Sequence, residues 1–408
     1  MNDAENLARL LGHVEPAVFH HFIGARFGLH LPPLDLKKPK GQSRQEMANA
    51  LSAISVGERQ KLEEESERIV LLSDGPGQDV IYGFRHLITG VANREAFGKI
   101  RNQYERAMWL NLNDDRIFRH ALDARQADVF RQSTTCYSGF VAPKDLEVKD
   151  DAISQAAFHS GAATHLGCSP EDVAVQIFRR LRPEAVAGEE VDLYQISIHH
   201  NRPPEVTDRV KDSVLVSQEV IRTVSAHITY EPSSGHLEVL SRETDAREDL
   251  GRLVADELLQ SPITGETIPL KVYSYQSLAA PRHFDISGEP VTAVKVVELG
   301  YTVPDHRSLQ VKIWAKDVDD IYTAARALIT PTFDFRSHRL TYAKISLTTR
   351  KDHGERARTI NIVLRDDNKC NVKTKREKDR ALCDRLLAKW GLIREIGDAP
   401  KSVDALAA

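Results

Sequence analysis

The feature that most constrains this chain is a change of hydrophobic period near Gly188. Before it, apolar residues recur three and four positions apart; after it, they alternate. The first spacing lines one face of a helix and the second lines one face of a strand. The change therefore predicts an α+β fold: a helical domain over 1–183, an α+β domain over 184–396 and a flexible tail over 397–408. A chain of 408 residues has room for two such domains.

In the helical part Leu7, Leu10, Leu11 and Val14 make the first stripe, and Pro16 suits the start of a second helix. Residues 31–41 carry Pro32, Pro33, Pro39 and Gly41 and read as a loop. Ser43 and Glu46 have the spacing of a capping box, which predicts a helix from there to Ile54. The charged stretch 58–72 predicts another, with Glu64 and Arg68 placed for an ion pair. Further helices are expected at 79–90, 94–110, 114–132 and 150–166. Ser169-Pro170-Glu171-Asp172 combines an N-cap residue, Pro and two acids, so a last helix is expected through Val173, Ile177 and Phe178 to Pro183.

The second part opens with Tyr194, Ile196 and Ile198 alternating with polar residues. Three units of two strands and one helix (ββα) follow. The first pairs 226–230 with 236–240 across Glu231-Pro-Ser-Ser-Gly235, and its helix opens at Asp245. The second pairs 291–300 with 309–315, and its helix opens at Asp317. The third pairs 340–350 with 359–365, and its helix opens with Thr374-x-x-Glu377 and ends at Trp390-Gly391. Each helix is apolar on one face only. The units are therefore expected to share one antiparallel sheet with the helices on one side.

Charge is distributed unevenly along the chain. Residues 1–135 balance to zero, 136–335 carry −12 and 336–394 carry +10. Such a basic segment points to an anionic partner. The competing expectation is that it lies beside the acidic middle and is neutralised there. Alternation in the second and third units predicts which side chains face away from the helices. Trp314, Tyr342, Lys344, Arg350 and Arg365 fall on that open face. Lys351, Arg356, Arg358, Lys369, Lys373, Lys375 and Arg376 follow on the loop and helix beside it. Cations that neutralise phosphate, together with aromatic planes on which bases stack, suit a nucleic-acid strand. For Trp314 and Tyr342 a buried domain interface is the competing expectation.

Signatures of other chemistries are missing from the sequence. It has no P-loop, no Gly-x-Gly-x-x-Gly, no Gly-x-Ser-x-Gly and no His-Glu-x-x-His. The adjacent pairs His20-His21 and His199-His200 diverge on either a helix or a strand. The strand segment around Glu238 has Leu where a two-metal nuclease would need Lys. Cys136 and Cys168 lie near His159 and His165 in sequence, but an inert buried thiol is the stronger expectation for each. The four cysteines form no C-x-x-C pair, so free thiols and a cytoplasmic location are expected. No apolar run is long enough to span a bilayer, and Met1–Leu11 lacks the pattern of a secretory leader.

The sequence therefore predicts a regulatory or recognition protein that binds nucleic acid, with no membrane partner, no metal, no cofactor and no assigned catalytic residue. Two rival readings are a protein-interaction subunit or homo-oligomer, and a metal-dependent hydrolase or nuclease.

Overall fold

The computed structural model describes residues 4–395, apart from 36, 134, 184–189, 212, 265–269, 304–305, 316–320, 330–333 and 352–356. The expected tail lies outside the described residues. The chain divides into two compact units, Met1–Val129 with Phe178–Arg182, and Phe130–Ile177 with Pro183–Ala408. The fold is α+β, with helices concentrated at the N-terminal end and antiparallel sheets following.

Eight helices come first: α1 (Glu5–His13), α2 (Pro16–Phe27), α3 (Lys40–Ala53), α4 (Val56–Leu72), α5 (Gly75–Phe84), α6 (Val91–Lys99), α7 (Gln103–Asn113) and α8 (Asp115–Gln132). Their apolar stripes meet in one core, where Leu7, Leu10, Phe19, Ile23, Leu51, Ile69, Phe84 and Leu110 are fully buried. α3 begins a turn before Ser43, because Pro39 sets its entry and Lys38 Nζ draws Glu46 to 2.7 Å. The capping box falls instead at α4. There Glu58 N donates to Ser55 Oγ at 3.2 Å, and Ser55 N donates to Glu58 Oε2 at 3.1 Å. Arg68 pairs with Glu65 at 3.2 Å, one residue from the expected Glu64.

The helix expected over 169–183 is a strand. A single 3-10 turn, Pro170–Asp172, leads into β2 (Val173–Pro183), which follows β1 (Tyr137–Val141) and α9 (Ala152–Leu166). Val173, Val175 and Ile177 are β-branched and alternate, which favours the strand over the i, i+4 reading of Val173 and Ile177. In the helical unit Phe178 stacks on His120, with ring centroids 4.2 Å apart.

The remaining elements are β3 (Glu190–Asn201), β4 (Glu205–Lys211), β5 (Val214–Val220), β6 (Thr223–Glu231), β7 (His236–Ser241), α10 (Ala246–Leu253), β8 (Lys271–Tyr273), β9 (Val291–Val303), β10 (His306–Trp314), α11 (Ile321–Leu328), β11 (Arg339–Thr349), β12 (Thr359–Arg365), β13 (Lys369–Cys370), α12 (Glu377–Lys389) and β14 (Ile393–Glu395). All three hairpin-plus-helix units are present, but they do not share one sheet. The first unit belongs to a sheet ordered β1-β7-β6-β3-β2, and the second and third build another, ordered β10-β9-β11-β12-β13. Each sheet has its own core. Phe140, Phe158, Ile196, Ile228, Tyr230 and Leu250 fill the first. Leu299, Ala343, Ile345, Leu347, Ile362 and Leu364 meet Leu386 and Leu387 of α12 in the second. Alternation determines which face of a strand is buried but not which strand lies beside it.

The third helix starts at Glu377 with Arg376 as its N-cap, not at Thr374. Residues 371–374 form a 3-10 turn in which Thr374 Oγ1 donates to Asn371 O at 2.8 Å, so that hydroxyl is turned away from the helix. Gly391 does close the helix in the left-handed region, at φ 65°. The second unit's helix is described from Ile321, and its expected start at Asp317 lies outside the described residues.

The turn between β6 and β7 depends on Gly235. Its φ is +74°, and a Cβ there would lie 2.2 Å from Ala142 O. Gly235→Ala is expected to cost more than ~2 kcal/mol of unfolding free energy in a denaturant titration, from left-handed strain plus a backbone clash.

Candidate nucleic-acid interface

The open face of the second sheet is organised by register. Lys312 of β10 lies opposite Gly300 of β9, Gly300 opposite Tyr342 of β11, and Tyr342 opposite Arg365 of β12. The neighbouring row runs Trp314, Glu298, Lys344 and Val363. The two rows are adjacent because side chains two apart on a strand share a face. The outward residues expected from alternation stand where they were placed: Ala343, Ile345 and Leu347 are buried, while Tyr342, Lys344, Ser346 and Thr348 are partly exposed.

Gly300 opens the first row. A Cβ at this position would meet Tyr342 Cβ at 2.9 Å. Its absence leaves room across β9, where Lys312 Nζ lies 5.2 Å from the Tyr342 ring centroid. Arg365 approaches the same ring at 5.5 Å. A guanidinium and an ammonium thus share one aromatic plane in a cation–π arrangement.

The second row is centred on Glu298. Lys344 Nζ donates to its Oε1 at 2.8 Å, Tyr342 OH donates to Oε2 at 3.0 Å, and Lys312 Nζ lies 3.0 Å from Oε2. Burial alone would raise this carboxyl. The hydrogen bonds from Lys344, Lys312 and Tyr342 outweigh it and hold the group at about 2. Trp314, at the far end of the row, is 70% exposed. It stands on β10, an edge strand with one described neighbour, and most of its side chain is open to water.

The other candidates divide by what already holds them. Arg358 grips Asp379 through both guanidinium nitrogens, with Nη1 at 2.7 Å, and Arg376 Nε lies 3.3 Å from the same carboxylate. These two cations tie the residue before β12 and the N-cap of α12 to the first turn of that helix. Lys369 lies 3.2 Å from Asp367. Lys373 sits 5.8 Å from the Tyr137 ring, and burial pushes its pKa down. Arg350 and Lys351 are exposed and Lys375 is half-buried, and none has a carboxylate partner among the described residues. Arg356 lies outside the described residues.

The basic segment is partly neutralised by the acidic middle. Lys344 pairs with Glu298, Arg385 with Glu289 at 2.8 Å, and Lys389 with Asp285 at 3.0 Å. Glu298 and Gly300 went unread in the sequence. The signal was available, since alternation along 291–300 puts Glu298 on the same face as Trp314, but only the partner strands were read for that face.

The first sheet also carries a polar face. Gln195 Nε2 donates to Ser197 Oγ at 3.3 Å, and Ser197 Oγ lies 3.0 Å from His227 Nδ1. Ser197 and His227 are fully buried, so this pair offers no surface for a substrate to reach. His200 Nε2 meets Glu243 at 3.0 Å, and His199 Nδ1 meets Ser225 Oγ at 2.9 Å. Thus the two adjacent histidines diverge as strand geometry requires. Among the described residues no group of three His, Cys, Asp or Glu side chains is placed to hold a metal ion. The cysteines are free, and burial pushes the Cys370 thiol up to about 11, away from nucleophilic use at neutral pH. No described helix is long and apolar enough to cross a membrane.

Glu298 makes stability depend on pH with a definite sign. Its folded pKa lies below the ordinary 4.5, so its contribution is complete above that value and is lost as pH falls through about 2. Glu298→Gln is expected to remove of order 2 kcal/mol at neutral pH. In urea titrations its stability gap to the unaltered protein narrows between pH 4.5 and 2. No known protein family matches the chain, and a search of curated proteins gives no match.

Proposed function

We propose that the protein binds a nucleic-acid strand on the open face of the second sheet, in a recognition or regulatory role. The observation that carries this reading is the exposed Trp314 on an edge strand, one row from a tyrosine ring flanked by Lys312 and Arg365. An aromatic plane beside cations offers a base its stacking surface and a phosphate its counter-charge. Bases are free to stack only where they are unpaired, so a single strand is the favoured form.

The reading is narrower than the basic segment as a whole. Arg358 and Arg376 are engaged by Asp379, and Lys369 lies beside Asp367. They serve the fold or neutralise a neighbour before they meet any ligand. Trp314, Tyr342, Arg365, Arg350 and Lys351 are the residues proposed to touch the strand. Lys312 and Lys344 join when a phosphate competes with Glu298.

Fluorescence titration with a homopolymeric single-stranded oligonucleotide tests this directly. Stacking on Trp314 is expected to quench tryptophan emission. Trp314→Ala is expected to weaken binding by about 1–3 kcal/mol. Glu298→Gln frees two ammonium groups and is expected to tighten binding and steepen its salt dependence by up to ~0.7 per additional phosphate contact, in log–log terms. Binding that ignores salt, or a Trp314→Ala protein that binds as tightly as the original, counts against the proposal.

A protein-interaction role is the second reading. It is favoured by the pairing of Lys344, Arg385 and Lys389 with carboxylates of the acidic middle, which leaves less net charge to offer a polyanion. Under that reading oligonucleotides leave the emission of Trp314 unchanged.

A further inference from the structure

β4 and β5 form a sheet of their own. The two strands pair without interruption from Glu205 opposite Val220 to Lys211 opposite Val214. The turn between them contains Ser213 in the left-handed region, at φ 65°. A lone two-stranded hairpin is at best marginally stable in water, and this one has no buried residue along β5. Its composition is also unusual for an exposed element. Of the fifteen large hydrophobic side chains that are exposed among the described residues, six fall between residues 206 and 221: Val206, Val210, Val214, Leu215, Val216 and Ile221. Val206 is 74% exposed and Val210 73%.

Register sorts these side chains. Residues directly opposite each other share a face. Val210 lies opposite Leu215, and Val206 lies opposite Glu219. Val206, Asp208, Val210, Leu215, Ser217 and Glu219 therefore share one face of the ribbon, with Val210 beside Leu215 at one end and Val206 beyond Asp208 at the other. The outer edge of β4 has no described neighbour and no bulge. Such an edge is a template for another strand, and isolated proteins ordinarily blunt it.

The sequence of β4 identifies the strand that fits. It reads Glu-Val-Thr-Asp-Arg-Val-Lys over 205–211. Set antiparallel to its own copy about a two-fold axis at residue 208, the acidic position 205 lies across from the basic position 211. Val206 then lies across from Val210 of the second copy, and the reverse contact repeats it. A closed two-fold pairing of this kind is the commonest way for identical chains to associate. The ribbon's own charges have both signs, which fits a protein strand better than a polyanion. We propose that the β4–β5 ribbon is a dimerisation arm, in which the β4 edges of two copies pair antiparallel and bury Val206 and Val210.

The pairing carries one unfavourable contact, which makes it specific enough to test. Two Asp208 residues face each other at the axis. Each is held within its own ribbon by Ser217 Oγ at 2.6 Å, a bond that Asn at 208 also accepts. Like charges directly opposite in a sheet are destabilising.

Analytical ultracentrifugation of the full chain at micromolar concentration decides the matter. The expected mass is twice the 45.7 kDa of one chain. Val206→Asp with Val210→Asp is expected to give a monomer with an unchanged circular dichroism spectrum and thermal midpoint, because neither side chain is part of a core. Asp208→Asn is expected to tighten the dimer about two- to fivefold. A monomeric unaltered protein overturns the proposal. So does a dimer that survives the double substitution, or one that Asp208→Asn weakens. None of these readouts depends on nucleic acid, so this test stands or falls apart from the binding titration.

Discussion

Three donors from two strands converge on Glu298, and the open face of the second sheet is arranged around that convergence. A carboxylate with 17% of its side chain exposed needs partners. Lys344 and Tyr342 from β11 and Lys312 from β10 supply them. This bonding holds the two lysines over the sheet and sets the Tyr342 ring where Arg365 reaches it. The gap at Gly300 serves the same arrangement, since any larger residue there would press on Tyr342. The structural role of this small cluster therefore coincides with its proposed binding role, under which Glu298 restrains cations that a phosphate competes for.

The uneven charge of the sequence acquires a physical meaning in the same terms. Part of the basic segment serves as links: Arg358 and Arg376 brace α12, Arg385 reaches Glu289, and Lys389 reaches Asp285. These links join segments separated by up to about a hundred residues of chain. Charged groups bridge elements well because each bond is directional and strengthened by its charge. Other cations, among them Arg365 on the open face and Arg350 and Lys351 beside it, are exposed. A run of like charge in a sequence is thus two populations in space, one holding the fold together and one facing water.

Several features were legible before any coordinates. Alternation correctly placed the three hairpins, the buried Ala343, Ile345 and Leu347, and the outward Trp314 and Tyr342, because the two-residue period of a strand is a geometric necessity. The partition into two sheets was not legible, since an inward-facing residue is equally apolar whichever sheet it serves. Residues 173–183 misled because Val173, Ile177 and Phe178 satisfy a helical spacing, while Val175 between them completes a strand pattern. Thr374 had a capping sequence but spends its hydroxyl on Asn371 O. The partners of Arg358, Arg385 and Lys344 lie 21, 96 and 46 residues away. No local reading of charge reaches across such separations.

The link between Arg385 and Glu289 has a consequence for synthesis. Glu289 is almost completely buried, and its cation is encoded 96 residues later. At ~5–20 residues per second, a ribosome needs roughly 5–20 s to deliver it. During the first part of that interval β9 and β10 emerge without β11, and the Glu289 carboxylate remains hydrated until Arg385 arrives. The second sheet cannot close until β11 and β12 have followed β9 and β10, whereas the eight-helix unit draws most of its contacts from one continuous stretch of chain.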